Sequence, residues 1–148
     1  MSNFEFDNSS ARLLPNLKSL NLTDCDLYGL PVEIGASMKL ERVDISNNNL
    51  IEIPDAFKYL KQLKKLNIYG NNDIKTFPIW LKYLENLEEI DISYTSISDI
   101  PEAILKLKKL KVIYAKGCKF SLLKMSTLKI RYKGATCRLP KNPQLKLN

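Results

Sequence analysis

The chain has 148 residues, of which 45% are hydrophobic and 26% are charged, and its formal net charge is +7. These values are ordinary for one globular domain. No segment approaches the roughly 20 consecutive apolar residues of a transmembrane helix, and the acidic N-terminus lacks the apolar core of a secretory leader. The sequence contains no histidine, which excludes the commonest general base and metal ligand. We therefore expect a soluble domain without a metal or cofactor.

Four prolines that each follow an apolar residue mark an internal repeat in the middle of the chain. They are separated by 23, 24 and 23 residues. The residues are Pro31, Pro54, Pro78 and Pro101. A fixed period of about 20–50 residues is typical of repeat architectures, in which a unit buries its apolar side chains only by stacking on its neighbours.

Each unit combines an alternating apolar segment with a later segment of three-residue apolar spacing. The second unit shows the pattern in full, with Leu40, Val43, Ile45, Leu50, Ile53, Phe57 and Leu60. The alternation predicts a short strand with its apolar side chains inward. The segment after the proline predicts one or two turns of helix or 3₁₀ helix. We therefore predict an α/β solenoid, an arc with a short parallel sheet on its concave face and helical turns on its convex face.

The elements in chain order form a single domain over residues 1–148. Residues 1–16 are predicted to be an N-terminal half-repeat or cap, and residues 17–123 to hold about five repeats. Residues 124–148 are predicted to form a C-terminal cap strand, centred on Ile130, and a basic tail. The third unit has one extra residue between Asn71 and Ile74, which predicts a bulge in its turn.

The pattern resembles the leucine-rich repeat, and its turns are similar to those of the Ras-group class in scribble, erbin and Ras suppressor proteins. Similar units occur in bacterial proteins, including effectors delivered into host cells. The pair Leu30 and Pro31 matches the Leu-Pro turn of that class, whereas Phe77 and Pro78 depart from it. The resemblance implies a curved, non-enzymatic scaffold that binds another protein along its concave face.

One inward column of the repeat is polar where each strand ends. It holds Cys25, Asn48, Asn71, Thr95 and Cys118. We predict that these side chains are buried and bond to backbone groups at the bend. Cys25 and Cys118 are separated by about 19 Å at the strand spacing of ~4.8 Å, so they cannot form a disulfide. Reduced, inert cysteines favour the cytoplasm, or a host cytoplasm if the protein is a delivered effector.

The outward strand positions are the predicted partner site. They include Asp44, Asn67, Tyr69, Asp91, Tyr94, Tyr114 and Lys116. Exposed aromatic side chains on a rigid sheet are typical binding anchors, although such rings can also just shield neighbouring strand residues. On the convex face, Trp80 is predicted to be partly exposed near Tyr59 and Tyr83. That patch is a second candidate surface, with packing between adjacent turns as the alternative.

Charge is distributed unevenly along the chain. Residues 1–60 have a net charge of −4 and residues 61–148 of +11, and residues 103–148 contain thirteen Lys or Arg and no acid. Lys129, Arg131 and Lys133 alternate on the outward face of the predicted cap strand. Such a field attracts acidic proteins, nucleic acid or anionic lipid, or is a lysine-rich solvated surface. Lysine outnumbers arginine nineteen to four, which weakens the case for bidentate phosphate recognition.

The sequence therefore predicts an adaptor, scaffold or regulator that binds a protein partner through its concave face. Asp44 and Asp91, the nearest approach to a catalytic carboxylate pair, are about 9.6 Å apart at the usual strand spacing. This separation suits glycosidase chemistry poorly, so we expect no enzymatic activity and no small-molecule substrate. The alternative function is nucleic-acid or anionic-membrane binding by the basic C-terminal half. A third alternative is that the chain is a fragment of a longer repeat protein.

Overall fold

The computed structural model describes residues 16–118, residue 120 and the backbone of residues 136–138. It contains one parallel sheet of six short strands in chain order. The strands are β1 (Ser19–Asn21), β2 (Arg42–Asp44), β3 (Lys65–Asn67), β4 (Glu89–Asp91), β5 (Val112–Tyr114) and β6 (Thr136–Arg138). Each repeat is named by its strand, so the first repeat contains β1 and the fifth contains β5. The predicted α/β solenoid is confirmed.

Backbone hydrogen bonds hold the repeats in register beyond the ends of the strands. The N–H of Leu22 donates to the carbonyl of Asp44 at 2.8 Å, and that of Ile45 donates to Asn67 at 2.9 Å. The N–H of Ile92 continues the series with Tyr114 as its acceptor at 2.8 Å. Each unit therefore satisfies the backbone groups of the next one at equivalent positions, as a solenoid requires.

The convex face consists of short helical turns that follow the repeated prolines. Three are 3₁₀ helices, Val32–Ala36, Asp55–Tyr59 and Ile79–Tyr83, and the fourth is an α-helix, Glu102–Leu105. The proline is the N-cap of each turn, immediately before its first helical residue. With ψ of 140° at Pro54, its backbone is not helical, and its carbonyl accepts the first helical hydrogen bond from Phe57 at 3.1 Å.

The core lies between the sheet and the helical turns. In the second repeat the fully buried side chains are Leu40, Ile45, Leu50, Phe57 and Leu60. Equivalent positions in the third repeat are filled by Leu63, Ile68, Ile74, Leu81 and Leu84. Burial of one such side chain contributes about 1.5–3 kcal/mol. Because one repeat cannot bury these side chains by itself, this stabilisation comes from the stacking of neighbouring repeats.

The extra residue of the third repeat is absorbed in its turn, as predicted. Ile74 is buried in the column of Leu50, although it lies three residues after Asn71 rather than two. Its N–H donates to the Asn71 carbonyl at 3.2 Å, and its own carbonyl accepts the N–H of Ser96 at 3.0 Å. The insertion therefore leaves the core register unchanged.

The two ends of the domain differ in how far the predictions can be followed. Residues 1–15 of the predicted N-terminal cap (1–16) and the predicted cap strand around Ile130 lie outside the described residues. Strand β6 was not predicted, because the apolar pattern decays after Leu123. It nevertheless begins 24 residues after β5 begins and pairs with it in parallel. The last strand of a sheet has unpaired backbone N–H and C=O groups, and these can pair with an extended segment of any sequence.

In the described part of the chain, no helix has both the length and the apolar character that crossing a membrane requires.

Candidate binding face

The strand face begins with a column of alternating charges. One residue before each strand, the repeats carry Lys18, Glu41, Lys64, Glu88 and Lys111. Lys64 pairs with Glu41 at 2.7 Å, and Lys111 pairs with Glu88 at 2.6 Å. These hydrogen bonds lower the pKa of both glutamates. Exposed pairs of this kind contribute little to stability, but they neutralise this edge of the face.

Beyond this column, the first four strands line a shallow groove of about 310 Å³. Its floor is formed by Val43 and Leu66, and its polar lining includes Arg42, Asp44 and Asn67. Lys65 also lines it and pairs with Glu89 at 3.0 Å. Among the described residues, no group of three or more His, Cys, Asp or Glu side chains is placed to hold a metal ion. The polar and charged lining of the groove is suited to polar contacts with a partner.

The predicted site residues Asp44, Asn67 and Asp91 cap the ends of their strands. In each case a side-chain oxygen accepts the backbone N–H two residues later, an Asx turn. The N–H groups of Ser46, Tyr69 and Ser93 donate at 3.0, 3.0 and 2.8 Å, respectively. These three polar side chains therefore have a structural role that the sequence analysis did not assign to them.

Asp44 is the most heavily bonded of these residues. Its carboxylate accepts the Ser46 hydroxyl at 2.6 Å, the Asn67 amide at 3.0 Å and the Thr23 hydroxyl at 3.1 Å. Burial raises the pKa of Asp44, but the hydrogen bonds from Ser46, Asn67 and Thr23 outweigh this effect and lower it overall. The carboxylate is therefore ionised and held in place at neutral pH.

A column of left-handed backbone conformations follows the strands. Its members, with positive φ in every repeat, are Asp24, Asn47, Gly70, Tyr94 and Gly117. Glycine, asparagine and aspartate tolerate this conformation, whereas a bulky side chain rarely adopts it. Tyr94, with φ of 54°, is therefore the exceptional residue of the column.

Tyr94 lies in a small cluster with Tyr69 and Lys116. The ring centroids of Tyr69 and Tyr94 are 5.2 Å apart, with the planes at 70°. The Lys116 ammonium lies 5.6 Å from the Tyr94 ring centroid. Tyr114 belongs to a different column, since it pairs in register with Asp91. The structure thus brings together two of the three predicted tyrosines.

The inner ladder has the predicted burial and bonding at Asn48 and Asn71, which are 5% and 0% exposed. The Asn48 amide nitrogen donates to three backbone carbonyls, those of Leu22, Ile45 and Ser46. Its amide oxygen accepts two backbone N–H groups, those of Cys25 and Leu27. Asn71 donates to the carbonyls of Ile45 and Ile68, both at 3.0 Å, and accepts the N–H of Leu50 at 3.1 Å.

The two cysteines of the ladder differ from each other, and the prediction for Cys25 is wrong. Cys118 is partly buried and donates its thiol to the Ile92 carbonyl at 3.0 Å. Burial raises the pKa of the Cys118 thiol. Cys25 is exposed, and its thiol donates to the Thr23 carbonyl at 3.4 Å. It follows β1, the first strand described, so a complete repeat does not stack on its other side in the described region.

On the convex face, the prediction that Trp80 is partly exposed is wrong. Trp80 is 4% exposed, and its ring lies 5.6 Å from that of Phe57 in the preceding turn. The equivalent positions in the other repeats hold small or flexible side chains, such as Ala56. The space that the indole fills could therefore not be predicted from the column. Tyr59 and Tyr83 are exposed as expected, and Lys61 lies 5.5 Å from the Tyr83 ring centroid.

Residues 6–128 match the sequence model of a protein family that is described as “Leucine-rich repeat region”. The chain belongs to the leucine-rich repeat family. The match is to leucine-rich repeats in general, and the Ras-group assignment stays a prediction. Leucine-rich repeat folds generally mediate protein–protein interaction, and proteins of the family are typically binding modules rather than enzymes.

Two solved leucine-rich repeat structures are similar to this one. The Leptospira interrogans protein LIC12759 is 32% identical with a TM-score of 0.71, over 77% of this chain and 29% of that protein. The leucine-rich repeat domain of the type III effector XopL is 23% identical with a TM-score of 0.67. That alignment covers 73% of this chain and 39% of the effector domain.

The curated relatives are much longer than this chain. The Arabidopsis thaliana disease resistance-like protein DSC1 is 33% identical over 72 residues, which are 47% of this chain and 6% of that protein. The human volume-regulated anion channel subunit LRRC8B is 33% identical over 66 residues, 43% of this chain and 8% of that protein. The chain thus spans less than a tenth of the length of these relatives.

Sequence reasoning missed three features of this leucine-rich repeat face. The charge column was visible as alternating signs at the repeat spacing, as in Glu41, Lys64 and Glu88. The left-handed column was signalled by the shared position of Gly70 and Gly117. Arg42, in the groove, had no signal of its own. The basic residues Lys129, Arg131 and Lys133 lie outside the described residues, and their role stays a prediction.

Proposed function

We propose that the chain is a protein-interaction module, acting as adaptor, scaffold or regulator, and that it binds its partner through the concave strand face. The observation that carries this proposal is the geometry of that face. Five consecutive strands present their outward side chains in fixed columns at one register. A rigid, preformed surface loses little entropy on binding, and the exposed Tyr94 offers an anchor of the kind enriched in interfaces.

We also propose a reducing compartment, the cytoplasm of its own cell or of a host. The free thiols of Cys25 and Cys118 fit such an environment. Similarity to the leucine-rich repeat domain of a type III effector keeps the host cytoplasm open as the alternative.

The experiment starts from partner isolation with mass spectrometry and continues with affinity measurements on variants of the full chain. Tyr94→Ala, on the strand face, is expected to weaken binding about fivefold or more, since tyrosine is enriched among the interface residues whose truncation costs more than about 1 kcal/mol. Tyr83→Ala is the matched control, because Tyr83 is also exposed, with Lys61 and Lys82 near its ring, but lies on the convex face. Loss of binding in Tyr83→Ala alone would place the interface on the convex face.

The rival function rests on the thirteen basic residues that residues 103–148 carry without an acid. If phosphate contacts drive binding, affinity for RNA, DNA or anionic vesicles should fall steeply with salt, because each neutralised phosphate releases counterions. We expect only weak nucleic-acid binding that disappears near ~0.15 M salt. Sub-micromolar binding at that ionic strength, abolished when Lys129, Arg131 and Lys133 are changed to Glu, would favour the rival function over ours.

A further inference from the structure

The cluster of Tyr69, Tyr94 and Lys116 has features that a general binding face does not require. Tyr94 adopts the left-handed conformation that the adjacent repeats fill with Gly70 and Gly117. A bulky residue in this conformation costs free energy, and such residues concentrate at functional positions. The Tyr94 N–H donates to the Lys116 carbonyl at 2.6 Å, which anchors the backbone on the fifth repeat.

The position of the Tyr94 ring is determined on several sides. Tyr69 contacts it edge to face from the preceding repeat. Gly117 leaves the space that the ring occupies, since a Cβ atom at this glycine would lie 2.8 Å from Tyr94 Cδ1. The Lys116 side chain lies across the ring. The cluster is therefore preformed, although Tyr94 stays 37% exposed.

The lysine in this cluster differs from three other lysines of the strand face. Lys64, Lys65 and Lys111 are each paired with a glutamate at 3.0 Å or less. Lys116 makes no ion pair among the described residues, and its contacts are with the tyrosines. The Tyr94 hydroxyl, the larger influence, and Tyr69 raise the pKa of Lys116, so the amine is protonated at neutral pH. The sequence places no acid after Glu102 that could compete for it.

This arrangement matches the chemistry of an acidic side chain. The ammonium of Lys116 and the hydroxyl of Tyr94 supply hydrogen-bond donors at one point, and the two rings supply an apolar wall beside them. A glutamate fits both parts, with its carboxylate on Lys116 and its methylene groups against the rings. On the same face, the Asp91 carboxylate already accepts the Ser93 N–H at 2.8 Å.

We infer that Tyr69, Tyr94 and Lys116 form a preformed subsite for a glutamate or aspartate side chain of the protein partner. The inference rests on the proposed function, because it assigns one part of the concave face to one feature of the partner. It identifies the partner by chemistry, as a protein with an acidic residue flanked by apolar ones.

The test is an NMR titration of the full chain with two short synthetic peptides that differ only in a central glutamate or glutamine between leucines. The glutamate peptide is expected to bind at least about fivefold more tightly and to shift the Tyr69, Tyr94 and Lys116 signals. Lys116→Gln should abolish the preference and Lys116→Arg should retain it. Lys111→Gln, on the same face, is the matched control and should behave like the unaltered protein. Equal binding of the two peptides, or no shift at millimolar peptide, overturns the inference.

A second pair of variants tests the positioning of the ring without removing any polar group. Gly117→Ala places a Cβ atom against Tyr94, whereas Gly70→Ala places one against the Asn47 side chain at the same left-handed position. Both variants carry similar backbone strain, and circular dichroism checks their folding. Only Gly117→Ala should lose the glutamate preference. Loss of the preference in neither variant, or in both equally, contradicts a role for the fixed ring.

Failure of this inference can be told apart from failure of the proposed function. A partner whose affinity falls in Arg42→Glu, in the groove, but is unchanged in Lys116→Gln leaves concave-face binding intact and removes the subsite. A partner insensitive to both changes and to Tyr94→Ala removes the proposed function, even if the glutamate peptide binds. Displacement of that peptide by a single-stranded RNA at about 0.15 M salt would assign the cluster to phosphate and overturn the inference.

Discussion

The inner ladder is built differently in the second and third repeats than in the fourth and fifth. Asn48 and Asn71 have an amide that both donates and accepts, so each links carbonyls and N–H groups of two repeats. Thr95 donates to the Ile92 carbonyl at 2.7 Å and is 3.5 Å from the Ile97 nitrogen. Cys118 supplies only a weak thiol donor. The later repeats therefore hold their bends with fewer and weaker hydrogen bonds.

The outer surface changes at the same point along the solenoid. In the second repeat, the strand end is occupied by the bonded carboxylate of Asp44 and by Asn47, which tolerates its left-handed backbone. In the fourth repeat, Tyr94 takes the left-handed position and projects a ring toward solvent. In the early repeats, the side chains at the strand ends mainly satisfy backbone hydrogen-bonding groups. In the later repeats, they include side chains suited to contact with a partner.

The largest expected effect is at the ladder. Asn71→Leu leaves the buried Leu50 N–H without its acceptor and removes one hydrogen bond each from the Ile45 and Ile68 carbonyls. It is expected to cost about 3 kcal/mol of unfolding free energy. Thr95→Val, which removes one hydroxyl at similar volume, should cost about 1 kcal/mol. Urea denaturation of both variants measures the difference. Equal losses would show that the two halves of the ladder do not differ in strength.

The two ends of the ladder can be compared through their thiols. In a Cys137→Ser background, Cys25 is expected to react with a maleimide about tenfold or more faster than Cys118, because only thiolate reacts and burial suppresses it. Peptide mass spectrometry of timed samples gives both rates. Similar rates would mean that the fifth repeat opens readily in solution. This would be a second difference between the early and the late repeats.

The smallest effect concerns the pH dependence of the Asp44 network. The lowered pKa of Asp44 means that the folded state favours its ionised form. Its stabilising contribution is therefore present above the unfolded pKa of about 3.9 and is lost as pH falls through the lower folded value. Asp44→Asn should cost less than ~1 kcal/mol at neutral pH, with the difference from the unaltered protein shrinking below about pH 4. A difference that persists at low pH would assign the effect to packing.

The sequence also predicted part of the candidate site. The outward position of Tyr69 follows from strand alternation around Ile68, whereas Tyr94 lies two residues after the inward Ile92 and has a left-handed backbone that ends the alternation. Their contact could not be read from the sequence, because they occupy different columns and meet only through the left-handed turn at Tyr94. Trp80 shows the opposite failure. Its column predicts exposure, yet the ring fits between adjacent turns against Phe57.

The sequence by itself determined the repeat, the strand positions, the inner ladder at Asn48 and Asn71 and the turn that absorbs the extra residue. These follow from periodicity and from the hydrogen-bonding capacity of single side chains, which are local properties. Only the tertiary structure decided which outward residues meet, that Cys25 is exposed while Cys118 is partly buried, and that Lys116 lies over Tyr94 instead of pairing with a glutamate. Those outcomes depend on the space between neighbouring repeats and on backbone conformation at the bends, and neither is a property of one residue or one period.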